Sequence, residues 1–379
     1  MEADREANRE QIVLVLQGGG ALGAYQAGVY EELSLRGHAP DWVAGISIGA
    51  INGAIIAGNK PENRVARLRE FWELISSVLI APPVVPGEDA HSAYNEVSAT
   101  WGMMFGIPGF FAPRVPPALA YPRGFAQALS VYDTEPLRQT LNRLVDFDAL
   151  NAPPTRLSVG AVNVATGNFA FFDTARQQLN VDHIMASGAL PPGFPPIEID
   201  GQAYWDGGLV SNTPLEYVLD EEPRPDQCIF QVDLFSARGP LPKSLMDVAE
   251  REKDIRFSSR TRLNTDEFKR VQTMRRAIYR LLERLPPELQ NTADAEILHQ
   301  IKCDAAVTIV HFINRRKNYF SQSKDYDFSR HSVEEHWAAG RADVAQSLSH
   351  PAWLNRKRPR TGVTVLDLTP KLAGPVGPA

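Results

Sequence analysis

The run IVLVLQ (12–17) is almost wholly apolar and is stopped by Gly18-Gly19-Gly20. A short unbroken apolar run of this kind predicts a strand buried on both faces of a parallel sheet. Residues 21–36 then carry Leu22, Tyr25, Val29 and Leu33 at helical spacing, with Gly37 as the stop. WVAGI (42–46) repeats the strand pattern, and SIGAINGAIIAG (47–58) predicts a helix of small residues. Strand, helix, strand, helix in this order implies a parallel sheet with right-handed crossovers.

Further along, Arg64 to Leu79 predicts another amphipathic helix. Residues 81–124 break the rhythm with eight prolines and with aromatics that include Trp101, Phe105, Phe110 and Phe111. So many large apolar groups argue for an insertion rather than a linker, expected to be irregular. It serves either as a cover over the core or as a lid or acyl-chain wall. TRLSVGAVNVATGNFAFFD (155–173) predicts two strands around Ala165–Asn168, and VDHIMASGALP (181–191) a short helix ended by Pro191-Pro192. Asp200-Gly201 marks a tight turn. Pro214–Leu219 starts a helix, and QCIFQVDLF (227–235) is another buried strand. Charged, helix-patterned sequence runs from Leu241 to Leu285, followed by a late strand (305–314) and a late helix (332–349). The run Arg356-Lys357-Arg358-Pro359-Arg360 in the tail is read as a solvated end. The expected division is a lead-in over 1–10, a catalytic domain over 11–235, a helical extension over 236–350 packed on it, and a tail over 351–379.

Composition narrows the function. With 379 residues, 44% hydrophobic and 22% charged, the chain is an ordinary globular protein. A net charge of -6 leaves no electrostatic footprint for nucleic acid. The two cysteines, Cys228 and Cys303, sit in apolar runs and make neither a disulfide framework nor a metal site. The charged start MEADREANREQ lacks an apolar core segment, and no run is long enough to span a membrane, so the expected location is cytoplasmic.

The sharpest chemical signal is Gly45-Ile46-Ser47-Ile48-Gly49, a G-x-S-x-G spacing between a predicted strand and a predicted helix. Such a turn projects the serine hydroxyl, and small neighbours avoid clashes. The serine then sits at a helix N-terminus, where free N–H groups favour developing negative charge. A second signal, Gly18-Gly19-Gly20-Ala21-Leu22-Gly23, satisfies G-x-G-x-x-G and raises a dinucleotide site. That site needs an acid at the end of the second strand. Here the strand ends in Gly45-Ile46-Ser47, and Asp41 precedes it. The same backbone can cradle an oxyanion instead.

A nucleophilic serine needs a base. His38, His91, His183, His299, His311, His331, His336 and His350 occupy no motif that demands one, although chain order would allow a triad with His311 or His331. Asp206, in Tyr204-Trp205-Asp206-Gly207-Gly208, is the stronger candidate. Desolvation, with Trp205 and Tyr204 as an apolar wall, would raise its pKa toward neutrality.

These blocks together resemble the patatin-like phospholipase family of serine acyl hydrolases. The resemblance rests on Gly18–Gly23 with Ala24–Gly28, on the Ser47 elbow, and on Asp206-Gly207-Gly208 with the preceding Ala186-Ser187 and Phe194-Pro195-Pro196. It spans residues 11–220. It implies a three-layer α/β/α sandwich with a mostly parallel sheet, Ser47 as nucleophile in an elbow made by Gly45 and Gly49, Asp206 as base, and backbone amides of Gly18, Gly19 and Gly20 as oxyanion hole. Two positions depart from the family pattern. Leu22 stands where many members carry a base, and Gln17 where an acid is frequent. The region after about 240 is similar to an extension found in a bacterial subset.

The expected activity is hydrolysis of lipid carboxylic esters through an acyl-enzyme, with no metal or organic cofactor, and with transient contact to a membrane surface. No oligomeric state is implied. A storage polyester or thioester substrate, a nucleotide-binding protein and a catalytically idle scaffold are the other readings.

Overall fold

The computed structural model describes residues 10–78, 88–222, 224–258, 261–290, 292–315 and 324–369. Most of the expected lead-in, residues 79–87 at the start of the insertion, and the end of the tail lie outside these. In chain order the strands are β1 (Gln11–Leu16), β2 (Trp42–Gly45), β3 (Ala112–Pro113), β4 (Tyr132–Asp133), β5 (Arg156–Asn163), β6 (Phe169–Asp173), β7 (Ile197–Ile199), β8 (Gln202–Asp206), β9 (Gln227–Asp233), β10 (Val307–Ile313) and β11 (Val363–Asp367). The longer helices are α1 (Ala24–Leu35), α2 (Ile48–Ala57), α3 (Pro61–Ile75), α4 (Glu88–Phe105), α5 (Glu135–Leu144), α6 (Val181–Ser187), α7 (Leu215–Asp220), α8 (Leu245–Phe257), α9 (Thr261–Leu282), α10 (Ala293–Ile301) and α11 (Arg330–Ser349).

Nine strands form one sheet in the order β11-β10-β9-β1-β2-β5-β8-β7, with β6 also on β5. The pairs from β11 to β5 are parallel, and the β5–β6, β5–β8 and β8–β7 pairs are antiparallel. β1 shows why its sequence is apolar throughout. Leu14 and Leu16 belong to a core shared with α1, α2, α3 and α11, whereas Val13 and Val15 point into a second core with α7 and α9. Both faces are thus covered by helices, giving three layers. Each such side chain contributes about 1.5–3 kcal/mol on burial.

The region beyond 235 is helical, and it also returns two strands to the sheet. β10 pairs with β9 over Val307–Ile313, and β11 pairs with β10. The sheet therefore continues past the expected boundary at 235, and the expected tail carries a sheet strand. Helix α11 crosses α1 with backbones nearly touching. A Cβ on Gly28 would lie 2.0 Å from the Trp337 carbonyl oxygen, and one on Gly340 would lie 2.2 Å from that of Tyr25. The basic run is likewise no free end. Arg358 pairs with Asp226 at 2.7 Å and with Asp304 at 3.0 Å, and Arg356 stacks on Trp353. Acids on neighbouring loops, distant in sequence, explain why charge alone read it as solvated.

The insertion also differs from expectation. Its prolines cluster at 82–86 and 108–122, leaving a proline-free interval that forms the 18-residue α4. Gly106, at φ 83°, ends that helix. Among the described residues no helix is long and apolar enough to cross a membrane.

Candidate active site

β1 and β2 lie side by side and parallel, with Leu16 opposite Gly45. The loops that follow them, Gly18–Gly20 and the Ser47 turn, therefore meet at the carboxyl edge of the sheet. A Cβ built on Gly18 would lie 3.2 Å from Ser47 Cβ. Ser47 itself has φ 55° and ψ −121°, a conformation that costs a non-glycine residue about 1–3 kcal/mol. Its surroundings impose it. A Cβ on Gly45 would lie 2.3 Å from the Gly49 carbonyl oxygen, and one on Gly49 would lie 2.4 Å from that of Leu16. Both glycines are needed for the turn to sit against β1. The Ser47 N–H donates to Ser187 Oγ (3.1 Å), whose hydroxyl donates to the Gly160 carbonyl (2.7 Å).

β5 brings in Asp206. One edge of β5 is taken by β6 over Ser158–Val162. The other edge is shared: β2 pairs as far as Gly45 opposite Val159, and β8 arrives from the opposite direction with Asp206 opposite Ala161. The ends of β2 and β8 thus meet over Gly160. A Cβ on Gly207 would lie 2.7 Å from the Gly160 carbonyl oxygen, so the approach again depends on glycine. At this junction the Asp206 carboxylate accepts hydrogen bonds from the Ser47 hydroxyl and from the Gly208 N–H, the latter at 2.7 Å. Asp206 is 2% exposed. Burial raises its pKa to about 6, against the opposing pull of those two hydrogen bonds.

The three glycines are not equivalent. The Gly18 N–H donates to the Asn212 carbonyl at 3.1 Å, so it is engaged. The Gly19 and Gly20 N–H groups donate to no backbone or side-chain acceptor among the described residues. Gly20 has φ 55° and lies against the Asp325 carbonyl, where a Cβ would approach to 2.3 Å. Leu22, at the position where a base was absent, is buried in the core. Gln17 is a fully used buried amide. Its Oε1 accepts from the Leu234 and Phe235 N–H groups, and its Nε2 donates to Thr213 Oγ1 and the Phe257 carbonyl. A carboxylate could not make the last two bonds. Asn212 Nδ2 bridges the Gly18 and Phe257 carbonyls, both at 3.0 Å. The glycine loop is therefore pinned to α8.

Ser47, Asp206 and Gly18–Gly20 open into a cavity of about 140 Å³. Its walls are rich in aromatic side chains: Phe110 and Phe111 come from the insertion, Tyr132 from just beyond it, and Phe257, Tyr326 and Phe328 from beyond residue 235. Trp205 and Tyr204, the expected apolar wall for Asp206, are not among the residues that line it. No histidine lines it either. His311 lies on β10 with Nδ1 3.5 Å from Asp233, and His331 is 3.8 Å from Glu335, which leaves the triad alternative without geometric support. Asp41 precedes β2, at the opposite end of the parallel strands from the glycine loop, and its carboxylate accepts from the Ile12 N–H at 2.8 Å. Among the described residues no group of His, Cys, Asp and Glu could hold a metal ion.

Several of these residues do not stand out in the sequence. Gly160 had a signal, a glycine inside a strand, which marks a close backbone approach. Asn212 and the aromatic residues beyond 235 had none, since only the fold carries them to the cavity.

A family model described as patatin-like phospholipase matches residues 14–219, and a second, described as patatin phospholipase, matches residues 255–360. Among solved structures, VipD from Legionella pneumophila is 14% identical, with 87% of this chain and 67% of that one covered and a TM-score of 0.34. The type III effector protein ExoU is 11% identical, with 88% of this chain covered and a TM-score of 0.27. This chain spans 54% of the ExoU chain. No curated protein matches it.

Proposed function

From the premise that the chain belongs to the patatin-like phospholipase family, we propose that it is a serine acyl hydrolase cleaving lipid carboxylic esters through a Ser47–Asp206 dyad. The observation that carries this reading is the hydrogen bond from the Ser47 hydroxyl to a buried carboxylate with a pKa raised to about 6, at one end of an aromatic cavity. A base with a pKa near the working pH takes a proton effectively while remaining ionised at neutrality.

In this mechanism Ser47 Oγ attacks the ester carbonyl carbon as its proton passes to Asp206. The carbonyl oxygen becomes an oxyanion held by the Gly19 and Gly20 N–H groups, while Gly18 keeps the loop in place through Asn212. Asp206 returns the proton to the leaving alkoxide, and the C–O bond breaks to give an acyl-Ser47 ester. A water molecule then attacks the acyl carbon and loses a proton to Asp206. Collapse of the second tetrahedral intermediate releases the fatty acid and restores the Ser47 hydroxyl. Phe110 and Phe111 make the insertion part of the acyl-chain wall.

The reading is tested by fluorophosphonate labelling followed by intact mass. One adduct on the wild type, absent in Ser47→Ala and slow in Asp206→Asn, supports it. A folded wild-type protein that takes no adduct refutes it. An ester series varied in chain length and leaving group then separates lipid esters from polyesters and thioesters.

A further inference from the structure

Helix α4 is built the wrong way round for a helix of a free-standing protein. Its described inward positions are small: Ser98, Ala99 and Gly102 are buried. Its outward positions are large and apolar. Val97, Trp101, Met104 and Phe105 recur at the spacing of one helical face and are 63%, 45%, 63% and 58% exposed. Trp101 and Phe105 lie against each other, with ring centroids 4.4 Å apart and planes tilted by 39°. The loop that follows continues the pattern, with Val115, Leu119 and Phe125 exposed. Single exposed apolar residues need no explanation, but a concentrated set of this size marks a binding surface.

The charge of this stretch is equally distinctive. Between Val97 and Val131 there is no acidic residue, and the only charged groups are Arg114 and Arg123, in a chain whose net charge is -6. Arg123 is exposed and has no ion-pair partner among the described residues. The surface is also continuous with the cavity. Tyr132, which lines the cavity, donates its hydroxyl to the Met103 carbonyl at 2.8 Å, and Phe110 and Phe111 on the same segment face the site.

We propose that the outer face of 97–131 is the surface by which the protein seats itself on an anionic lipid bilayer, with Trp101, Met104, Phe105 and Leu119 entering the interface and Arg123 meeting lipid phosphate. Amphipathic segments with Trp, Phe and Leu on one side lie in the plane of the interface, and anionic headgroups add attraction to each nearby cation. Seating by this face sets the inner aromatic wall next to the membrane, so an acyl chain passes from lipid to cavity without crossing water. The purpose assigned to the surface rests on the hydrolase reading; its affinity for lipid does not.

The experiment is flotation of the full-length protein with vesicles of phosphatidylcholine alone or of equimolar phosphatidylcholine and phosphatidylglycerol. Wild type is expected to float with the anionic vesicles and to be released by salt. Trp101→Asp combined with Met104→Asp should weaken flotation at least about tenfold, and Arg123→Glu should weaken it on anionic vesicles only. Leu119→Asp changes a fully exposed side chain and so cannot act through unfolding; it should show the same direction. All three variants should keep wild-type fluorophosphonate labelling and turnover of a soluble short-chain ester. Wild type that fails to float, or variants that float like wild type, overturn the proposal. So does a wild-type dimer in sedimentation that the double variant dissociates, because the face would then belong to a second copy. Flotation that follows the variants, with no labelling of Ser47, retains the surface and removes the hydrolase reading.

Discussion

Two aspartates flank the same strand and are almost equally buried, yet they are prepared for opposite tasks. Asp173 ends β6 on one edge of β5 and is 1% exposed; Asp206 ends β8 on the other edge and is 2% exposed. Asp173 accepts from Arg156, from the Tyr217 and Ser158 hydroxyls at 2.7 Å, and from the Ala175 N–H. Its burial cost is exceeded by these donors, and its pKa falls below the usual carboxylate value. Asp206 receives one hydroxyl and one N–H, with no cation, and burial carries its pKa up to about 6. Burial alone therefore does not make a base. What matters is burial with too few donors to offset it, and the one hydroxyl that is supplied is the group that the proposed mechanism deprotonates.

The largest expected effect is on chemistry. Ser47→Ala should lower kcat/KM by about 10⁶-fold, as loss of a nucleophilic serine does elsewhere, and Asp206→Asn by about 10⁴-fold or more. Steady-state kinetics on a soluble ester measures both. Asp173→Asn should leave kcat of the folded protein unchanged but cost about 2 kcal/mol of stability in urea unfolding, because Arg156 loses its bidentate partner and keeps only Glu221. A stability loss from Asp206→Asn of that size would erase the distinction between the two carboxylates.

Asp206→Asn should instead stabilise the protein. The folded pKa of Asp206 lies above its ordinary value, so its favourable contribution is full below about 3.8 and is lost as pH rises through about 6. Asparagine does not titrate, so its advantage should grow across that window and level off above it, at no more than about 3 kcal/mol. Asp173 has the reverse sign, and its contribution is lost only as pH falls through its lowered pKa. Melting curves of both variants against pH test the opposition. For wild type, kcat/KM should fall about tenfold per pH unit below about 6, because protonated Asp206 cannot accept the Ser47 proton. The smallest effect belongs to Ser187→Ala, which unpairs the Ser47 N–H and the Gly160 carbonyl. About a tenfold loss in kcat is expected with the binding of a soluble ester little changed, since one or two buried polar groups lose a partner.

Much of this was legible in the chain. Ser47 could be found because the elbow needs glycine on both sides: a Cβ on Gly45 or Gly49 would lie within 2.4 Å of a carbonyl oxygen. The β1–α1–β2–α2 order could be read because period and punctuation agree there at every residue. The insertion was less legible. Averaged over its length it is proline-rich and irregular, whereas the prolines stand only at its two ends and α4 fits between them. The tail was read from charge, and nothing local shows that Asp226 and Asp304 wait for Arg358.

The sequence by itself determined the local geometry: which residues turn, which strands are buried on both faces, and which serine is presented at a helix start. These follow from steric limits and periodicity within a few residues of each position. Only the tertiary structure decided that Asp206 meets Ser47, that Gly18 gives its N–H to Asn212 while Gly19 and Gly20 keep theirs, and that Phe257 and Tyr326 close the cavity. It also decided that Asp173 is restrained by an arginine and Asp206 is not. These depend on which strand ends share an edge of β5 and on the dielectric and donors they find there, and no separation along the chain encodes either.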